Sequence, residues 1–587
     1  MPKPVQKEEI VTLLEEIGTL MRLAGENDFR AMAFDRAART IENLDDDINK
    51  FIDEHTLTDL KGIGKSIAND VYEYAETGSV PVLEKLRVLV PDGLIAWLGI
   101  SGMGPKKIYK IHKELGITEI TELKEKCRDG SVASLDGMGQ KTAEKILKSI
   151  SWMEEFSARC RIDEATEVAE NFLDKIKQVD GVHDISVAGS LRRSSETIGD
   201  IDILIAADKK NASKLMTRFV EMEGVMEVLG QGETKSSVRT EEGRQVDLRI
   251  VSRAHYPAAL MYFTGSKDHN VALRKRAREK NLQLNEYGLF HQTDDRKADF
   301  DRPLPAQSET EIYRHLGLAF IPPELREDYG EFDLAADGKV PELVELSDLR
   351  GVLHAHSTWS DGKKTIREMA EACIELGYEY LGLTDHSRSA AYAGGLSIER
   401  VKQQWEEIDV LNMEFTDKDM DFTILKGIES DILTDGRLDY PDDLLEEFDL
   451  VIGSVHSGLD QPPEKMLNRL MEAAAHPHIH MIGHPTGRLL LRRDGNKADL
   501  SRLIEHAAKH KTAIEINANP QRLDLDWRYG RKARECGLMS AVCPDAHNIK
   551  GLDYMRYGIG IARKSGFTAE NILNTKTLAD LKKWLEK

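Results

Sequence analysis

The chain has 587 residues, 80 Lys and Arg, 102 Asp and Glu, and a formal net charge of −22. At about 150 residues per domain, this length predicts about four domains rather than one core. No apolar run near the N-terminus predicts a signal peptide, and none elsewhere is long enough for a membrane span. Five scattered cysteines without a CxxC pair indicate reduced thiols in a cytoplasm rather than a disulfide framework.

The net negative charge argues against binding to nucleic acid, but the charge is unevenly distributed along the chain. Residues 101–300 carry 33 basic and 33 acidic side chains, whereas residues 301–500 carry 20 basic against 40 acidic. A nucleic acid would therefore have to contact local basic patches and backbone amides in the first half of the chain. We expect such binding to be of modest affinity and sensitive to salt.

Residues 1–150 are predicted to be helical, with a turn motif that occurs three times, at 60–68, 100–108 and 135–143. Each copy has an apolar residue, then Gly-apolar-Gly, then a basic or small residue that opens a helix. The glycines permit a tight turn, so that the first N–H groups of the second helix can face a phosphate. One copy could be a plain connection between helices, but three favour a clamp on the DNA backbone that ignores base sequence. The candidate DNA-binding residues are Gly62, Gly64, Lys65, Gly102, Gly104, Lys106, Gly137, Gly139 and Lys141.

Two strand-like segments carry three carboxylates. Asp200 and Asp202 alternate with isoleucines, and alternate residues of a strand point to the same face. Asp247 lies in a second such segment at 245–250. Three carboxylates that hold two Mg²⁺ suit an in-line attack on a nucleoside triphosphate. The alternative is an ordinary surface strand with scattered acids.

Small and basic residues precede the first of these strands. Gly189 lets backbone N–H groups approach a phosphate closely, and Ser190 adds a hydroxyl. Arg192 and Arg193 can neutralise phosphate charge. Together with the carboxylates, they favour a nucleotidyltransferase site.

A third segment completes a possible nucleotide pocket. Tyr-Phe-Thr-Gly-Ser at 262–266 precedes a helix on which Asn270 and Arg274 share a face. These residues could also be core aromatics and a solvated basic face. As a pocket, the aromatics would lie against sugar and base, Asn270 on a base edge and Arg274 toward the template.

The chain from about residue 5 to 320 resembles the X-family DNA polymerases, the polymerase-beta-like group. The resemblance rests on the turns at 62–64 and 102–104, Gly189-Ser190, Arg193, Gly199-Asp-Ile-Asp202, Asp247, 262–266, Asn270 and Arg274. It implies a small N-terminal domain, then fingers, palm and thumb, with Asp200, Asp202 and Asp247 as catalytic metal ligands. It also implies a set of nucleotide-binding residues, in which the aromatic pair discriminates against a 2′-hydroxyl: Arg161, Gly189, Ser190, Arg193, Tyr262, Phe263, Gly265, Asn270 and Arg274.

One position departs from that family. Members with 5′-deoxyribose-phosphate lyase activity have a Schiff-base lysine eight residues after the glycine that corresponds to Gly62. Here that position is Asp70, and a carboxylate cannot form an imine. We therefore expect no lyase activity through this site.

After an acid-rich segment that we interpret as a linker, seven short apolar runs alternate with helical stretches. The runs are 351–354, 380–384, 423–428, 450–453, 480–483, 513–517 and 539–543. Repeated βα units predict a parallel barrel, and the chemistry of such barrels lies at the C-terminal ends of the strands.

Nine His, Asp and Glu side chains follow these runs: His354, His356, Asp361, His386, Glu429, His456, His484, Asp545 and His547. A single histidine would most simply be structural, but nine ligands at the same end of successive strands indicate a metal centre. Imidazole with carboxylate suits Zn²⁺, Mn²⁺ or Fe²⁺. A cluster of two or three ions with a bridging water would hydrolyse phosphoesters. His476, His478 and His480 precede the end of the fifth run and are interpreted as non-ligands.

Residues 345–580 resemble the PHP (polymerase and histidinol phosphatase) domain, which follows X-family polymerases in bacteria and archaea. The motifs are His354-Ala-His356, Ser360-Asp-Gly362, Thr384-Asp-His386 and Pro544-Asp-Ala-His547. The resemblance implies a trinuclear site, usually with Mn²⁺ or Zn²⁺, and 3′→5′ exonuclease action. Endonuclease action at abasic sites and 3′-phosphatase trimming also occur in the group. Arg522, after the sixth run, could hold a phosphate.

The predicted fold is multidomain. All-α helix-hairpin-helix domains precede an α+β nucleotidyltransferase palm and thumb, and an α/β distorted (β/α)7 barrel follows. The predicted ranges are 1–85 for the N-terminal DNA-binding domain, 86–150 for the fingers with two helix-hairpin-helix motifs, 151–255 for the palm, 256–320 for the thumb, 321–344 for the linker and 345–587 for the PHP barrel.

We expect a DNA repair enzyme that fills short gaps from dNTPs with Mg²⁺ and trims 3′ ends at a cluster of three Mn²⁺ or Zn²⁺ ions, in base excision repair or end joining. The expected partners are gapped or 3′-recessed DNA and dNTPs, without a membrane, for a monomer in the cytoplasm at the nucleoid. One alternative is a nucleotidyltransferase for RNA or a small molecule, which the three hairpins and 262–266 disfavour. The other is a non-catalytic DNA tether or scaffold built on a nuclease, which the intact acids and metal ligands disfavour.

Overall fold

The computed structural model divides the chain into two compact units, Met1–Ser157 and Ala158–Lys587. Among the described residues, no helix is long and apolar enough to cross a membrane. All five cysteines have free thiols. The structure describes residues 5, 7–42, 44, 48–100, 103–156, 159–292 and 298–586.

The first unit is helical, as predicted, because apolar residues recur at helical spacing. Ile10, Leu14 and Ile17 lie on one face of the first helix and are fully buried. The α-helices in the described part of this unit are α1 (Lys7–Leu23), α2 (Asp28–Glu42), α3 (Ile48–Asp53), α4 (Lys65–Thr77), α5 (Pro81–Leu89), α6 (Asp92–Ala96), α7 (Pro105–Leu115), α8 (Ile120–Arg128) and α9 (Gln140–Phe156).

The second unit begins with a mixed five-stranded sheet, called the palm sheet here. The elements are β1 (Cys160–Arg161), α10 (Ile162–Lys177), β2 (Val182–Val187), α11 (Gly189–Arg192), β3 (Thr197–Ile198), β4 (Asp200–Ala207), α12 (Lys209–Val220), β5 (Val225–Gln231), β6 (Lys235–Thr240) and β7 (Gln245–Val251). The strand order is β2-β4-β7-β6-β5, with β4 and β7 parallel, while β1 pairs with β3 outside this sheet. The predicted strands β2, β4 and β7 are present. Sequence reasoning missed β5, an edge strand whose side chains are mostly exposed, and the polar strand β6.

A second group of elements, the thumb region, follows the palm sheet. It contains α13 (Tyr256–Thr264), α14 (Lys267–Glu279), β8 (Leu282–Asn285), β9 (Gly288–Gln292), β10 (Ala298–Pro303), α15 (Glu309–His315) and α16 (Glu331–Ala336). Strands β8, β9 and β10 form an antiparallel sheet that the sequence did not predict.

The expected linker 321–344 is folded onto the thumb region. Ile321 and Ala335 belong to the same buried apolar cluster as the thumb helices. Arg326 is fully buried and donates to Glu309 at 2.7 Å. The acid-rich composition was misleading because Glu331 is buried and paired, and Glu324 and Glu327 are half-buried in ion pairs.

The rest of the chain is a parallel seven-stranded barrel, which confirms the predicted fold. Its elements are β11 (Gly351–Ala355), α17 (Ile366–Glu375), β12 (Tyr380–Leu383), α18 (Ile398–Asp417), β13 (Thr423–Asp431), α19 (Asp442–Leu445), β14 (Leu450–Ser454), α20 (Pro463–Ala474), β15 (Met481–Ile482), α21 (Leu500–Lys509), β16 (Ala513–Asn517), α22 (Gly530–Glu535), β17 (Ser540–Cys543), α23 (Ile549–Leu552), α24 (Met555–Lys564) and α25 (Leu578–Leu585). The strands pair in chain order, so every strand has its C-terminal end at the same rim.

Between its first and last strands the nearly closed barrel has one backbone bridge, Ala355 to Ala546, and one side chain that spans the rest of the seam. Asn574 is fully buried, and its Nδ2 donates to Gly351 O at 3.0 Å and to Val542 O at 2.8 Å. Its Oδ1 accepts from Val542 N at 3.1 Å. The amide therefore replaces hydrogen bonds that a continuous ladder would make across this seam.

Replacing Asn574 should destabilise the barrel, because each buried backbone group that loses its partner costs about 1–3 kcal/mol. We expect Asn574→Leu to lower the free energy of unfolding by about 3 kcal/mol. Asn468→Leu, an exposed substitution on α20, is the matched control and should change it by less than about 0.5 kcal/mol. Urea unfolding followed by tryptophan fluorescence reports on the barrel, which holds Trp359, Trp405, Trp527 and Trp584. Equal midpoints for the two variants would contradict this role.

Candidate active sites

Parallel pairing of β4 with β7 assembles the three predicted carboxylates of the palm sheet. Asp202 and Asp247 are directly opposite in the register of the two strands. Asp200 lies two residues before Asp202, and ligand oxygens of all three lie within 4.8 Å of one another. The alternation of the Asp-x-Asp segment thus places both side chains on one face of β4.

These carboxylates crowd negative charge where little water can screen it. Burial, together with Asp200 and Asp247, raises the pKa of Asp202 to about 7. Burial acts against ionised Asp247 as well, but Lys235, whose Nζ lies 2.7 Å from its Oδ2, holds the pKa of Asp247 below its ordinary value. Sequence reasoning missed Lys235, which lies on the unpredicted strand β6. A hard set of oxygen ligands with excess negative charge fits Mg²⁺.

The residue at position 189 must be glycine for this arrangement to form. Its φ is 59°, and a Cβ there would lie 2.3 Å from Asp202 Oδ2. Gly189 and Ser190 open the short helix α11 directly beside the carboxylates. The backbone of this segment therefore passes close to the acids, and the predicted approach to a phosphate stays a prediction.

The two arginines after Ser190 have different partners. Arg192 donates to both Glu309 oxygens at 3.0 and 2.6 Å and to Thr264 Oγ1 at 2.6 Å. These contacts join the palm sheet to the thumb region, which differs from the phosphate contact expected for Arg192. Arg193 is half-buried, and its Nε donates to Glu327 at 3.0 Å.

The remaining predicted nucleotide-binding residues occupy two places. Arg161 on β1 forms a bidentate pair with Asp163, with both distances 3.1 Å. On α13 and α14, the half-buried rings of Tyr262 and Phe263 are 5.2 Å apart at 86°. Asn270 and Arg274 are joined to this pair by hydrogen bonds: Asn270 Nδ2 donates to Tyr262 O at 2.7 Å, and Arg274 Nε donates to Asn270 O at 3.2 Å. Arg193 Nη1 donates to Thr264 O, the residue just before Gly265.

In the first unit, the second glycine of each described turn directly precedes a helix. Gly64 and Gly104 have nearly identical backbone angles, φ −87° and −85° with ψ 162° in both. In the described part of the chain no side chain caps either helix, so the first N–H groups face outward without a side-chain acceptor.

The other predicted DNA-binding residues fit the same geometry where the structure describes them. The first glycines Gly62 and Gly137 have φ values of 100° and 74°, as tight turns require. Gly102 lies outside the described residues. The remaining predicted residues are exposed, although Lys106 also pairs with Asp28 at 2.6 Å: Lys65, Lys106, Gly139 and Lys141.

At the C-terminal rim of the barrel, the predicted ligands form three overlapping groups, each with ligand atoms within 4.8 Å. The groups are His356 with Asp361, His386 and His547; His354 with His356 and Asp545; and His386 with Glu429 and His456. Glu429 is central: its carboxylate lies 2.9 Å from His386 Nδ1, and its other short contacts are to Nε2 of His484 (3.0 Å), His456 (3.3 Å), His354 (3.6 Å) and His356 (3.6 Å). All nine predicted side chains are thus brought to one place.

Several buried polar atoms in this cluster make no hydrogen bond to the described residues. They are His354 Nε2, both ring nitrogens of His356, His386 Nδ1, His484 Nδ1 and Glu429 Oε2. Burial of such atoms is costly unless something else satisfies them. Burial, with His547 and His386 beside it, also lowers the pKa of His356 to about 3, which keeps its ring neutral as metal binding requires. The donor set therefore fits a cluster of Zn²⁺ or Mn²⁺ ions.

Sequence reasoning missed the carboxylates that orient these histidines. Glu515 Oε1 lies 2.7 Å from His354 Nδ1, and Asp431 Oδ1 lies 2.5 Å from His456 Nδ1. A carboxylate partner fixes the ring tautomer and leaves Nε2 free for a metal. A signal existed in both cases, because Glu515 interrupts an apolar strand and Asp431 lies two residues after Glu429 on β13.

The backbone at the rim is held in uncommon conformations. His484 and Asp545 have φ values of 23° and 51°, in the left-handed region that non-glycine residues seldom adopt. Gly362, after Asp361, passes so close to His356 that a Cβ would lie 2.6 Å from its carbonyl oxygen. The Ser-Asp-Gly motif thus reflects a close backbone approach beside the ligands.

Two partly or largely exposed side chains lie beside the cluster. Arg522 Nε lies 3.7 Å from Asp545 Oδ2 and remains partly exposed, which suits the predicted phosphate contact. Tyr392 is 75% exposed, and its ring centroid lies 6.5 Å from that of His386. Tyr392 had no signal in the sequence that would have singled it out.

Family models match both the palm and the barrel. Family models match as DNA polymerase beta palm (residues 159–242), DNA polymerase beta thumb (259–327) and PHP domain (353–519). Two more match as Helix-hairpin-helix domain (5–80) and SAM-like Helix-hairpin-helix tandem (95–151).

The relatives include one that matches over its full length and others that match over about two fifths of this chain. The DNA polymerase/3′-5′ exonuclease PolX of Bacillus subtilis (strain 168) is 42% identical over 585 residues, 99% of this chain and 100% of the relative. A probable phosphatase of Thermoanaerobacter sp. (strain X514) is 26% identical over 235 residues, 38% of this chain and 89% of its own length. A similar match to a probable phosphatase of Caldanaerobacter subterraneus subsp. tengcongensis is 27% identical over 249 residues, 39% of this chain and 88% of the relative. The chain therefore belongs to the family-X DNA polymerases that carry a C-terminal PHP domain.

Proposed function

We propose that the chain is a DNA repair polymerase with a 3′→5′ exonuclease in its barrel. The observation that carries this proposal is the presence of two separate, complete sets of metal-ligating side chains in one chain. The full-length relative is named a DNA polymerase/3′-5′ exonuclease, which supports the pairing of these activities.

The palm sheet is the proposed site of gap filling from dNTPs. Asp200, Asp202 and Asp247 would hold Mg²⁺, which offsets charge on the triphosphate and the attacking 3′ oxygen. Ser190 and Arg193 would bind the triphosphate, with Arg161 nearby on β1. Tyr262 and Phe263 would lie against the sugar, and the link from Tyr262 through Asn270 to Arg274 would fix the pocket floor.

The barrel is the proposed site of 3′-end trimming. Its three overlapping ligand groups would hold three Mn²⁺ or Zn²⁺ ions, which supply a nucleophilic water and stabilise phosphate charge. Arg522 would bind a phosphate of the substrate. We also propose that the barrel cleaves DNA at abasic sites and removes 3′ phosphates. The relatives named probable phosphatases support the removal of 3′ phosphates.

We propose that the first unit binds DNA. The helix N-termini at Gly64 and Gly104 are uncapped and have exposed lysines beside them. They therefore suit the phosphates of DNA of any base sequence. We propose gapped or 3′-recessed DNA as the substrate and a monomer that works at the nucleoid in the cytoplasm, in base excision repair or end joining.

The two chemistries should separate by mutation. We expect Asp202→Ala to reduce primer extension by more than about 100-fold and His456→Ala to reduce 3′ degradation by a similar factor, because each removes a ligand from only one site. The measurement uses a 5′-labelled primer on a one-nucleotide gap with Mn²⁺, with and without dNTPs.

Each variant serves as the control for the other, because both retain one intact site. Loss of both activities in both variants would contradict independent sites. Degradation without any extension by the wild-type protein would favour the alternative, a DNA tether built on a nuclease.

We also propose that the first unit lacks Schiff-base lyase activity at Asp70. This carboxyl is partly buried, and burial raises its pKa, but it has no amine with which to form an imine. Borohydride should therefore trap no covalent complex between the protein and an incised abasic substrate. A trapped adduct that Asp70→Ala leaves unchanged would locate a lyase elsewhere, and one that it abolishes would refute the reasoning from this residue.

A further inference from the structure

Helix α24 of the barrel packs against the palm segment that carries Arg193. A Cβ at Gly560 would lie 2.9 Å from Ser194 Cβ and Oγ, so the helix backbone touches this segment directly. On its other side, a Cβ at Gly558 would lie 2.5 Å from Ala518 Cβ and 2.6 Å from Val542 Cγ1 of the barrel. The two glycines allow one helix to contact both active modules closely.

The last residue of α24, Lys564, contacts the palm segment at Arg193. The Lys564 side chain is 1% exposed. Its Nζ donates to Arg193 O at 3.1 Å and to Glu327 Oε1, and it lies 4.8 Å from the centroid of the Trp527 ring. A buried ammonium is costly, so its position is set by these few acceptors.

Glu327 is shared between two cations. Its Oε1 also accepts from Arg193 Nε at 3.0 Å, so Lys564 and Arg193 meet at one carboxylate oxygen. Burial opposes ionisation of Glu327, but the two cations outweigh it and hold the pKa of Glu327 below its ordinary value. If only Arg193 balanced this charge, Arg193 could leave Glu327 only by abandoning a buried anion.

A second contact from the barrel fixes the same palm segment. Arg488, four residues after the candidate metal ligand His484, pairs with Glu196 and with Asp526. Its other donors go to the backbone oxygens of residues 522 and 523. The palm segment from Arg193 to Glu196 is therefore held at both ends by cations of the barrel.

We propose that Lys564 is a positioning residue for DNA synthesis: by neutralising Glu327 it lets Arg193 turn from that carboxylate to the triphosphate of the incoming dNTP. The proposal rests on the proposed function of the palm sheet. It makes the barrel part of the nucleotide pocket, in addition to being a nuclease.

The test compares steady-state gap filling by the full-length wild type, Lys564→Met and the double variant Lys564→Met/Glu327→Gln. We expect Lys564→Met to raise the KM for dNTP about tenfold, because Glu327 then retains Arg193, while kcat changes less than about threefold. The double variant removes the competing charge and should return KM to within about twofold of wild type. Exonuclease activity should be unchanged in both variants.

Arg563→Met is the matched control. Arg563 is the neighbouring residue of α24, and it forms an interface ion pair with Glu324 at 2.6 Å that does not involve Arg193. The Arg563→Met substitution should leave the KM for dNTP within about twofold of wild type.

Three results would overturn the proposal. One is an equal KM for Lys564→Met and Arg563→Met. Another is a joint loss of kcat and exonuclease activity in Lys564→Met without recovery in the double variant, since this would indicate a purely structural role. A wild type that never extends primers would reject the proposed polymerase activity together with this inference.

Discussion

Buried charge that only another charge can balance is the constraint on which the second unit depends. In the palm sheet, Asp202 and Asp247 face each other across paired strands. In the barrel, one carboxylate, Glu429, lies within 3.6 Å of five imidazoles. Such clusters are costly to desolvate, so they persist only on rigid elements that hold compensating groups in place. Divalent ions are the natural complement of both clusters.

The apolar core that supports both charged clusters is continuous. One apolar cluster includes Phe172 of α10 and Ile203 of the palm sheet together with Val352 and Ile428 of the barrel. Ion pairs between buried partners, such as Arg488 with Glu196, occur at the same boundary. The palm and the barrel therefore share packing as well as chain connectivity.

Much of this architecture was predictable because the relevant signals are local. Apolar runs ending in His or Asp predicted the barrel rim, and the Asp-x-Asp alternation predicted the face of β4. Some elements escaped prediction because they lack a local signal. Strand β5 has exposed side chains and no alternation, so its place at the sheet edge depends on pairing with β6.

Pairings between distant residues also escaped prediction. Glu309, the partner of Arg192, is 117 residues away in the chain, and Glu327, the partner of Arg193, is 134 residues away. Both arginines were predicted to neutralise phosphate charge, but the fold pairs Arg192 with Glu309 and Arg193 with Glu327. Residues 321–344 were misinterpreted as a linker for the same reason. Acidic side chains predict a solvated segment, and the distant residues that pair with them are not evident in the local sequence.

The central claim is that the chain holds two chemically distinct metal centres, one of carboxylates alone and one rich in imidazole. The most direct test is metal counting by mass spectrometry after loading with Mn²⁺ and exchange into excess Mg²⁺, which replaces Mn²⁺ more readily at the oxygen-only site. The account predicts three retained Mn²⁺ ions per chain in the wild type and in Asp202→Ala, and a loss of retained Mn²⁺ in Glu429→Gln. Retained Mn²⁺ that disappears in Asp202→Ala, or that persists in full in Glu429→Gln, would contradict it.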